Sequence, residues 1–333
     1  MHAATTQPTA SPDPSAASGS QVAPRRFRAT PGEALSADAV TSFKEDGFLI
    51  LEDVVGAAHL TELRQECTAI CRGDRGSYDG WQGPHDGQAD AEVLQQYLCV
   101  HFPHKISATA KAVLGLPTIA QALTGVIGPD VKCVQSMMFI KAAGKPGQAW
   151  HQDEDFIPTR DRSLCGVWIA MDDATVDNGC LWVIPGSHRP GVLYPQARQN
   201  DPRFDCANVS TRFPYSDDDA VPVEVPAGGA VLFNGYLLHR SLPNRRATGF
   251  RRTLVGHYMS ASSLLPWTHD LSKHPTFLDE DHSVAKADHR DIFMVAGEDP
   301  YAWMGTTDVF QPHVRPSGEG GCVKTATPDE VPA

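Results

Sequence analysis

No apolar run in this chain reaches the roughly 18 residues that a membrane-spanning helix needs, which argues against a helical membrane protein. Positive charge is in deficit: 28 Lys and Arg stand against 40 Asp and Glu, for a formal net charge of −12. That balance argues against non-specific binding to nucleic acid or to anionic membranes, although a small basic pocket for an anionic ligand stays compatible with it. The first 30 residues lack the apolar core of a secretory signal, so a cytoplasmic protein is expected and the sequon at Asn208 is expected to be unused. None of the eight cysteines (Cys67, Cys71, Cys99, Cys133, Cys165, Cys180, Cys206 and Cys322) forms a Cys-x-x-Cys pair, and several sit in apolar runs. Buried free thiols in a reducing compartment are expected. Cys67 and Cys71, one helical turn apart, read as a core-facing stripe, with metal binding as the lesser alternative. There is no Gly-x-Gly-x-x-Gly after a strand, no phosphate loop and no Gly-x-Ser-x-Gly elbow, so dinucleotide, phosphoryl-transfer and serine-hydrolase chemistries have no foothold.

What is present is a chain of 333 residues, 41% hydrophobic and 20% charged, long enough for one large domain with a sizeable core. Residues 1–32, rich in Ala, Thr, Ser and Pro and closed by Arg25, Arg26 and Arg28, read as a disordered segment because they cannot bury enough apolar surface to offset ordering entropy. The folded domain is read over 33–315, and 316–333 as a loose Gly- and Pro-rich tail. It opens with helices. Ser36 looks like an N-cap before Val40 and Phe43, Phe48–Leu51 reads as a short buried strand, and Leu60, Leu63, Cys67, Ile70 and Cys71 mark one face of a helix over about 57–72. Helices are also expected over about 106–114 and 117–126. From about residue 130 the pattern changes to short β-rich runs over 131–140, 164–171, 180–184, 221–225, 230–233 and 253–259, separated by Gly-, Pro- and Asn-rich turns. No long helix interrupts them. The fold class is therefore mainly β with flanking helices, as an antiparallel double-stranded β-helix or jelly roll of the cupin type.

The chemistry centres on Trp150-His151-Gln152-Asp153. On a strand, residues two apart share a face, so His151 and Asp153 can aim an imidazole and a carboxylate at one point. His239 lies 88 residues further on (239 − 151), just after the apolar run Ala230–Phe233, and in a jelly roll two distant strands lie side by side. Two imidazoles and one carboxylate form the facial triad of non-haem Fe(II) oxygenases, which leaves three coordination positions open, two for a chelating 2-oxo acid and one for O2. A bare His-x-Asp is weak by itself, and a charged surface loop, His151 to Asp155, is the competing reading. Glu154 and Asp155 are the alternative carboxylates, but the two-apart spacing selects Asp153.

The stretch after His239 strengthens the case. His239-Arg-Ser-Leu-Pro-Asn, then Gly249-Phe-Arg251-Arg252-Thr-Leu, resembles the phytanoyl-CoA dioxygenase family, as do Gln135 to Lys141 followed by a Gly/Pro loop and Trp-His-Gln-Asp, and Asn178-Gly-Cys-Leu-Trp-Val-Ile-Pro-Gly-Ser-His188. The likeness covers most of residues 38–262. It implies Fe(II) held by His151, Asp153 and His239, 2-oxoglutarate as co-substrate, and O2. It further implies that Arg251, favoured by register over the alternative Arg252, clamps the distal carboxylate of 2-oxoglutarate, a task suited to a guanidinium fork, while Arg252 is expected to face the other side of the strand. Gln135, Lys141, Gln152 and Trp168 match positions that line the co-substrate pocket, and Ser241 one that can hydrogen-bond the same ligand. His188 matches a structural marker. In related halogenases a small residue replaces the carboxylate; Asp153 here points to hydroxylation, with succinate and CO2 released.

The remaining histidines carry less. His101 and His104 flank Pro103 and read as structural, with substrate contact the lesser alternative. His257 sits mid-strand and reads as a core or pocket residue. His269, His274, His282 and His289 lie in a polar stretch and read as surface. Arg160 and Arg162 follow the iron motif and read as solvated, or as contacts for an acidic group on the substrate. A small-molecule substrate is expected, and the oligomeric state is not legible. A cupin-like metalloenzyme without 2-oxoglutarate, or a metal-binding sensor without turnover, are the rival readings.

Overall fold

The computed structural model describes residues 23–205, 209–264 and 289–317. Its strands in chain order are β1 (Arg26–Arg28), β2 (Phe48–Glu52), β3 (Tyr97–His101), β4 (Val131–Ala142), β5 (Gly147–His151), β6 (Cys165–Ala170), β7 (Leu181–Val183), β8 (Gln196–Arg198), β9 (Phe204–Asp205), β10 (Val209–Thr211), β11 (Val221–Val223), β12 (Ala230–Asn234), β13 (His239–Ser241), β14 (Phe250–Ser260), β15 (Phe293–Ala296) and β16 (His313–Pro316). The helices are α1 (Ala37–Asp46), α2 (Ala57–Arg72), α3 (Asp90–Leu94), α4 (Ala108–Leu114) and α5 (Pro117–Val126).

The strands form two main sheets. The larger runs β1-β2-β12-β6-β14-β4-β3-β16, with β15 added on β4, and the smaller runs β11-β7-β13-β5-β9. Sequence neighbours are seldom sheet neighbours, and the long pairings, such as β14 with β4 and with β6, are antiparallel, giving the jelly-roll arrangement. Alternation along β2 shows how the layers are sealed. Phe48 and Ile50 point between the sheets, where they meet Val231, Phe233, Val255, Leu181 and Val183. Leu49 and Leu51 point the other way, into a second core with Leu63, Ile70, Leu114 and Leu123 of the helices. A strand covered on both faces reads as an unbroken apolar run, which is why Phe-Leu-Ile-Leu shows no polar alternation.

The helices start and stop where the sequence says. The Ser36 hydroxyl accepts the Ala39 N–H at 3.2 Å, and Gly47 closes α1 at φ 84°, a left-handed conformation that costs glycine little. Leu60, Leu63, Cys67, Ile70 and Cys71 form the buried face of α2. Among the described residues, no helix is long and apolar enough to cross a membrane.

Several expectations need correction. The chain is ordered from before residue 33: Arg26–Arg28 pairs in parallel with Ile50–Glu52, so backbone hydrogen bonding to a sheet edge supplies the order that composition withheld. The last strand, His313–Pro316, pairs with β3 and so carries the sheet one residue past 315, where the loose tail was expected to start. His289 is 7% exposed, packed against the Phe310 ring, and not a surface residue. Cys67, Cys71, Cys99, Cys133, Cys165 and Cys180 are free and buried, whereas Cys206, Cys322, Asn208, His269, His274 and His282 lie outside the described residues.

Candidate metal centre

His151 is the last residue of β5 and His239 the first of β13, and the two are register partners across the small sheet. Strand pairing thus closes the 88-residue gap. Asp153 is not on the strand. Gln152 stays extended (φ −125°, ψ 128°) and Asp153 opens a 3-10 turn, Asp153–Asp155. Because Gln152 keeps strand geometry, the two-apart rule still brings Asp153 to the side of His151. One donor atom from each of His151, Asp153 and His239 lies within 4.8 Å of the others. Oδ1 of Asp153 is 3.7 Å from Nε2 of His151 and 3.5 Å from Nε2 of His239.

The donor chemistry fits a divalent metal. Nδ1 of His151 lies 2.7 Å from the Ala149 carbonyl, and Nδ1 of His239 lies 2.9 Å from the Leu237 carbonyl. A carbonyl only accepts, so each Nδ1 carries the proton and donates it, leaving both Nε2 lone pairs aimed at the carboxylate. Burial, reinforced by His239, holds His151 down at about 4, so it is the neutral ligand form at neutral pH. Burial opposes ionisation of Asp153 more than any other single influence, yet His239, His257 and His151 together hold its carboxyl well below the usual range.

His257 completes the shell. Its Nε2 lies 3.0 Å from Oδ2 of Asp153, the oxygen not shared with His151 and His239. It donates to the carboxylate and fixes its orientation. Outer partners of this kind typically tune metal affinity by ~10–100-fold. His257→Phe, which keeps the ring's volume and removes the donor, is therefore expected to weaken Fe(II) binding by about 10–100-fold. Competition against a calibrated chelator measures this, and an unchanged affinity would remove His257 from the site. The signal for His257 was available: it lies six residues from Arg251 on one strand, so both face inward.

A cavity of about 110 Å³ runs from the three candidate ligands along the inner face of the large sheet, past Phe139, Trp168 and Val255, to Lys141, Ser241 and Arg251. Arg251 is 3% exposed. Its guanidinium lies 5.4 Å from the Trp168 ring centre and has only a long 3.5 Å contact to the Thr253 hydroxyl, with Nε unpartnered. Burial lowers its pKa to about 10, so it remains a cation at neutral pH. Arg252, on the opposite face, is engaged by Asp172, with Nε and Nη2 at 2.8 and 2.9 Å from the two carboxylate oxygens. Lys141 donates to the Ser241 hydroxyl at 2.9 Å and to the Leu242 carbonyl at 2.6 Å. Burial first, then Arg251, pushes its pKa well below the ordinary lysine value.

Two expected lining residues lie elsewhere. The Gln152 side chain does not line the cavity. Its amide donates to the Val192 and Tyr236 carbonyls at 3.0 and 2.7 Å, and its oxygen accepts the Tyr194 N–H at 2.9 Å, so it straps two loops together. Gln135 pairs in register with His257 on the inner face of β4, beyond the cavity lining. Arg160 and Arg162 are exposed and do not line the cavity either. His188 contacts the Lys44 carbonyl at 3.1 Å and braces α1. His104 pairs with Ser136 at 2.6 Å, and His101 stacks on His313 at 4.1 Å between ring centres.

Glu154, next to the cluster, is 1% exposed, and burial raises its carboxyl to about 7 from an ordinary 4.5. Below pH 4.5 both folded and unfolded chains hold this proton. As pH rises towards 7 the unfolded chain releases it first, so stability falls by up to ~3 kcal/mol and is then constant above the folded value. Glu154→Gln is expected to flatten this decline; urea midpoints at mildly acidic and mildly alkaline pH measure it, and an unchanged slope would contradict it.

The phytanoyl-CoA dioxygenase (PhyH) family model matches residues 43–253. A phytanoyl-CoA dioxygenase domain-containing protein 1 of Danio rerio is 27% identical over 269 residues, covering 69% of this chain and 92% of the relative. A phytanoyl-CoA dioxygenase of Arabidopsis thaliana is 40% identical over 113 residues, 33% of this chain and 38% of the relative. Among solved structures, the non-heme monooxygenase ThoJ superposes with a TM-score of 0.58 at 21% identity, covering 79% of this chain and 85% of ThoJ. The epimerase SnoN, in complex with Fe3+, alpha ketoglutarate and nogalamycin RO, superposes with a TM-score of 0.57 at 17% identity, covering 78% and 97%. These structures establish the shared fold. A jelly roll with a two-histidine, one-carboxylate cluster on its inner wall is the architecture of a non-haem oxygenase. Within that class, the chain belongs to the phytanoyl-CoA dioxygenase family of Fe(II)/2-oxoglutarate-dependent oxygenases.

Proposed function

We propose that the protein is an Fe(II)- and 2-oxoglutarate-dependent hydroxylase acting on an unactivated C–H bond of a small molecule. The observation that carries the reading is the pairing, in one cavity, of a convergent His151–Asp153–His239 cluster with the buried guanidinium of Arg251, which has no ion-pair partner among the described residues. When bound, Fe(II) with 2-oxoglutarate and O2 supplies an oxidant strong enough to remove hydrogen from such a bond, with succinate and CO2 as co-products. The chain's own residues do the rest. Nε2 of His151, Nε2 of His239 and Oδ1 of Asp153 would hold the metal. His257 engages the other Asp153 oxygen and orients the carboxylate. Arg251 binds the distal carboxylate of 2-oxoglutarate, because a buried guanidinium without a counter-ion is costly and a bidentate carboxylate relieves that cost. Lys141, held on Ser241, adds a second donor beside it, and the Trp168 ring shields the pair from water. The buried free thiols accord with a reducing compartment, and the cytoplasm is our assignment.

Similar folds support other outcomes, including an epimerase and a carbocyclase, so the reaction type is tested by its product. Metabolite mixtures incubated with Fe(II), 2-oxoglutarate, O2 and the protein are expected to yield one compound heavier by a single oxygen atom, formed in step with succinate. A product without added oxygen would displace hydroxylation.

A further inference from the structure

Behind the candidate metal centre, the small sheet carries a second cluster that the proposed reaction does not use. The register of β5 and β13 sets His151 opposite His239 and Gln148 opposite Ser241. Between those two pairs β5 has two residues, Ala149 and Trp150, where β13 has one, Arg240. Such a β-bulge interrupts the ladder and re-aims the side chains beside it. It bears on the site because the Ala149 carbonyl, inside the bulge, accepts the Nδ1 proton of His151 at 2.7 Å. The tilt of the His151 ring therefore follows the shape of the bulge.

Strand alternation turns Trp150 and Arg240 to the outer face of the sheet, away from the cavity. There the Arg240 guanidinium lies 4.5 Å from the Trp150 ring centre. Asp217, from the 3-10 turn Asp217–Asp219, engages both side chains. Its Oδ1 accepts the Trp150 indole N–H at 3.1 Å, and its Oδ2 accepts from Nη1 of Arg240 at 3.0 Å. Trp150 and Arg240 are 6% and 8% exposed, and a cation over a ring and a charge-assisted hydrogen bond are both stronger when desolvated. Phe213 packs edge-on against Trp150, 5.5 Å between ring centres. One carboxylate thus ties the residue before His151 to the residue after His239.

We propose that Asp217 is a positioning residue for the metal centre: by clasping Trp150 and Arg240 on the outer face, it fixes the bulge and holds the His151 and His239 imidazoles at the separation a shared metal ion needs. The two rings stand 4.1 Å apart between centres. Ladder bonding does not supply this constraint by itself, because the bulge breaks the register between His239 and Ser241. Asp217 touches neither the metal nor a substrate and acts only through the two strands. The assignment rests on the reading of His151, Asp153 and His239 as metal ligands.

The test uses the full chain and Fe(II) alone, under exclusion of O2, in competition against a calibrated chelator, with urea unfolding of the same samples. Asp217→Ala is expected to bind Fe(II) about tenfold more weakly, the lower end of what outer partners of a metal ligand contribute. Asp217→Asn keeps an acceptor for the indole but loses the charge facing Arg240, and is expected to bind about threefold more weakly. Arg252→Ala, which breaks an ion pair on the far face of β14, is expected to lose stability while its Fe(II) affinity stays within about twofold of native, which separates destabilisation from loss of positioning. Arg240→Met is expected to match Asp217→Ala, and the two together to cost no more than either alone, because both act through one clasp. Native affinity in Asp217→Ala, an equal loss in Arg252→Ala, or losses that multiply in the double variant overturns the proposal. Should Asp217→Ala fail to fold, Asp217→Asn takes its place, and native affinity there overturns the proposal in the same way. A native chain that takes up no Fe(II) overturns the metal-centre reading and the clasp with it, whereas native uptake with unchanged variants overturns the clasp alone.

Discussion

Arg251→Met is expected to raise the KM for 2-oxoglutarate by about 10²–10³-fold, because removing one partner of a buried charge pair costs ~3–5 kcal/mol. The argument rests on what surrounds the guanidinium. Arg251 is buried, faces the cavity, and has no acid within ion-pair distance among the described residues. Its energetic complement is therefore a ligand. Lys141 alone is a poor substitute, since burial disfavours its charged form and its ammonium is already spent on Ser241 and the Leu242 carbonyl. Arg251→Lys is expected to fall between native and Arg251→Met, because a point charge cannot make the two parallel bonds of the fork. The adjacent arginine provides the control. Arg252→Ala removes the bidentate contact to Asp172 on the outer face. It is expected to lower the unfolding free energy by ~1–3 kcal/mol without a comparable change in KM. Steady-state assays at varied 2-oxoglutarate, with urea unfolding of the same proteins, separate the two effects. Equal KM changes in both variants would contradict the assignment.

A still larger loss is expected at the metal. His239→Ala should reduce 2-oxoglutarate turnover by at least ~10³-fold, the scale on which removing one member of a catalytic unit acts. Among the described residues, His239 has no understudy. Glu154 Oε1 is held by the Thr159 N–H and hydroxyl, and His257 already serves Oδ2 of Asp153. His101 and His104 are engaged with His313 and Ser136. Asp153→Ala is expected to be as damaging, since it takes away the negative ligand and leaves His257 without its carboxylate. Turnover is read as succinate formed per chain at saturating Fe(II). Retention of more than about a tenth of native turnover in either variant would be incompatible with a single three-ligand site.

Much of this was legible in the sequence because it follows from short-range rules. Strand parity placed His151 with Asp153 and separated Arg251 from Arg252. Apolar runs between turn residues marked β4, β6, β12 and β14, and the helices announced themselves through Ser36, Gly47 and Pro117. What escaped depends on distant partners. Arg26–Arg28 is a strand only because β2 offers an edge. His289 is buried only because Phe310 covers it. Gln152 was expected in the cavity from the family resemblance, but strand alternation turns it outward, where the Val192 and Tyr236 carbonyls and the Tyr194 N–H absorb its amide. His257 was readable by parity from Arg251, yet its role needed the 3-10 turn that swings Asp153 towards β14.

The central claim is that three side chains from β5, the turn after it and β13 hold one Fe(II) that also takes up 2-oxoglutarate. Anaerobic titration of the chain with Fe(II) and then 2-oxoglutarate, followed by visible absorption, tests this most directly. A charge-transfer band that saturates with both components in the native protein, and is missing from His239→Ala at the same concentrations, is the expected result. A native chain that develops no such band, or a His239→Ala chain that develops it undiminished, would contradict the assignment.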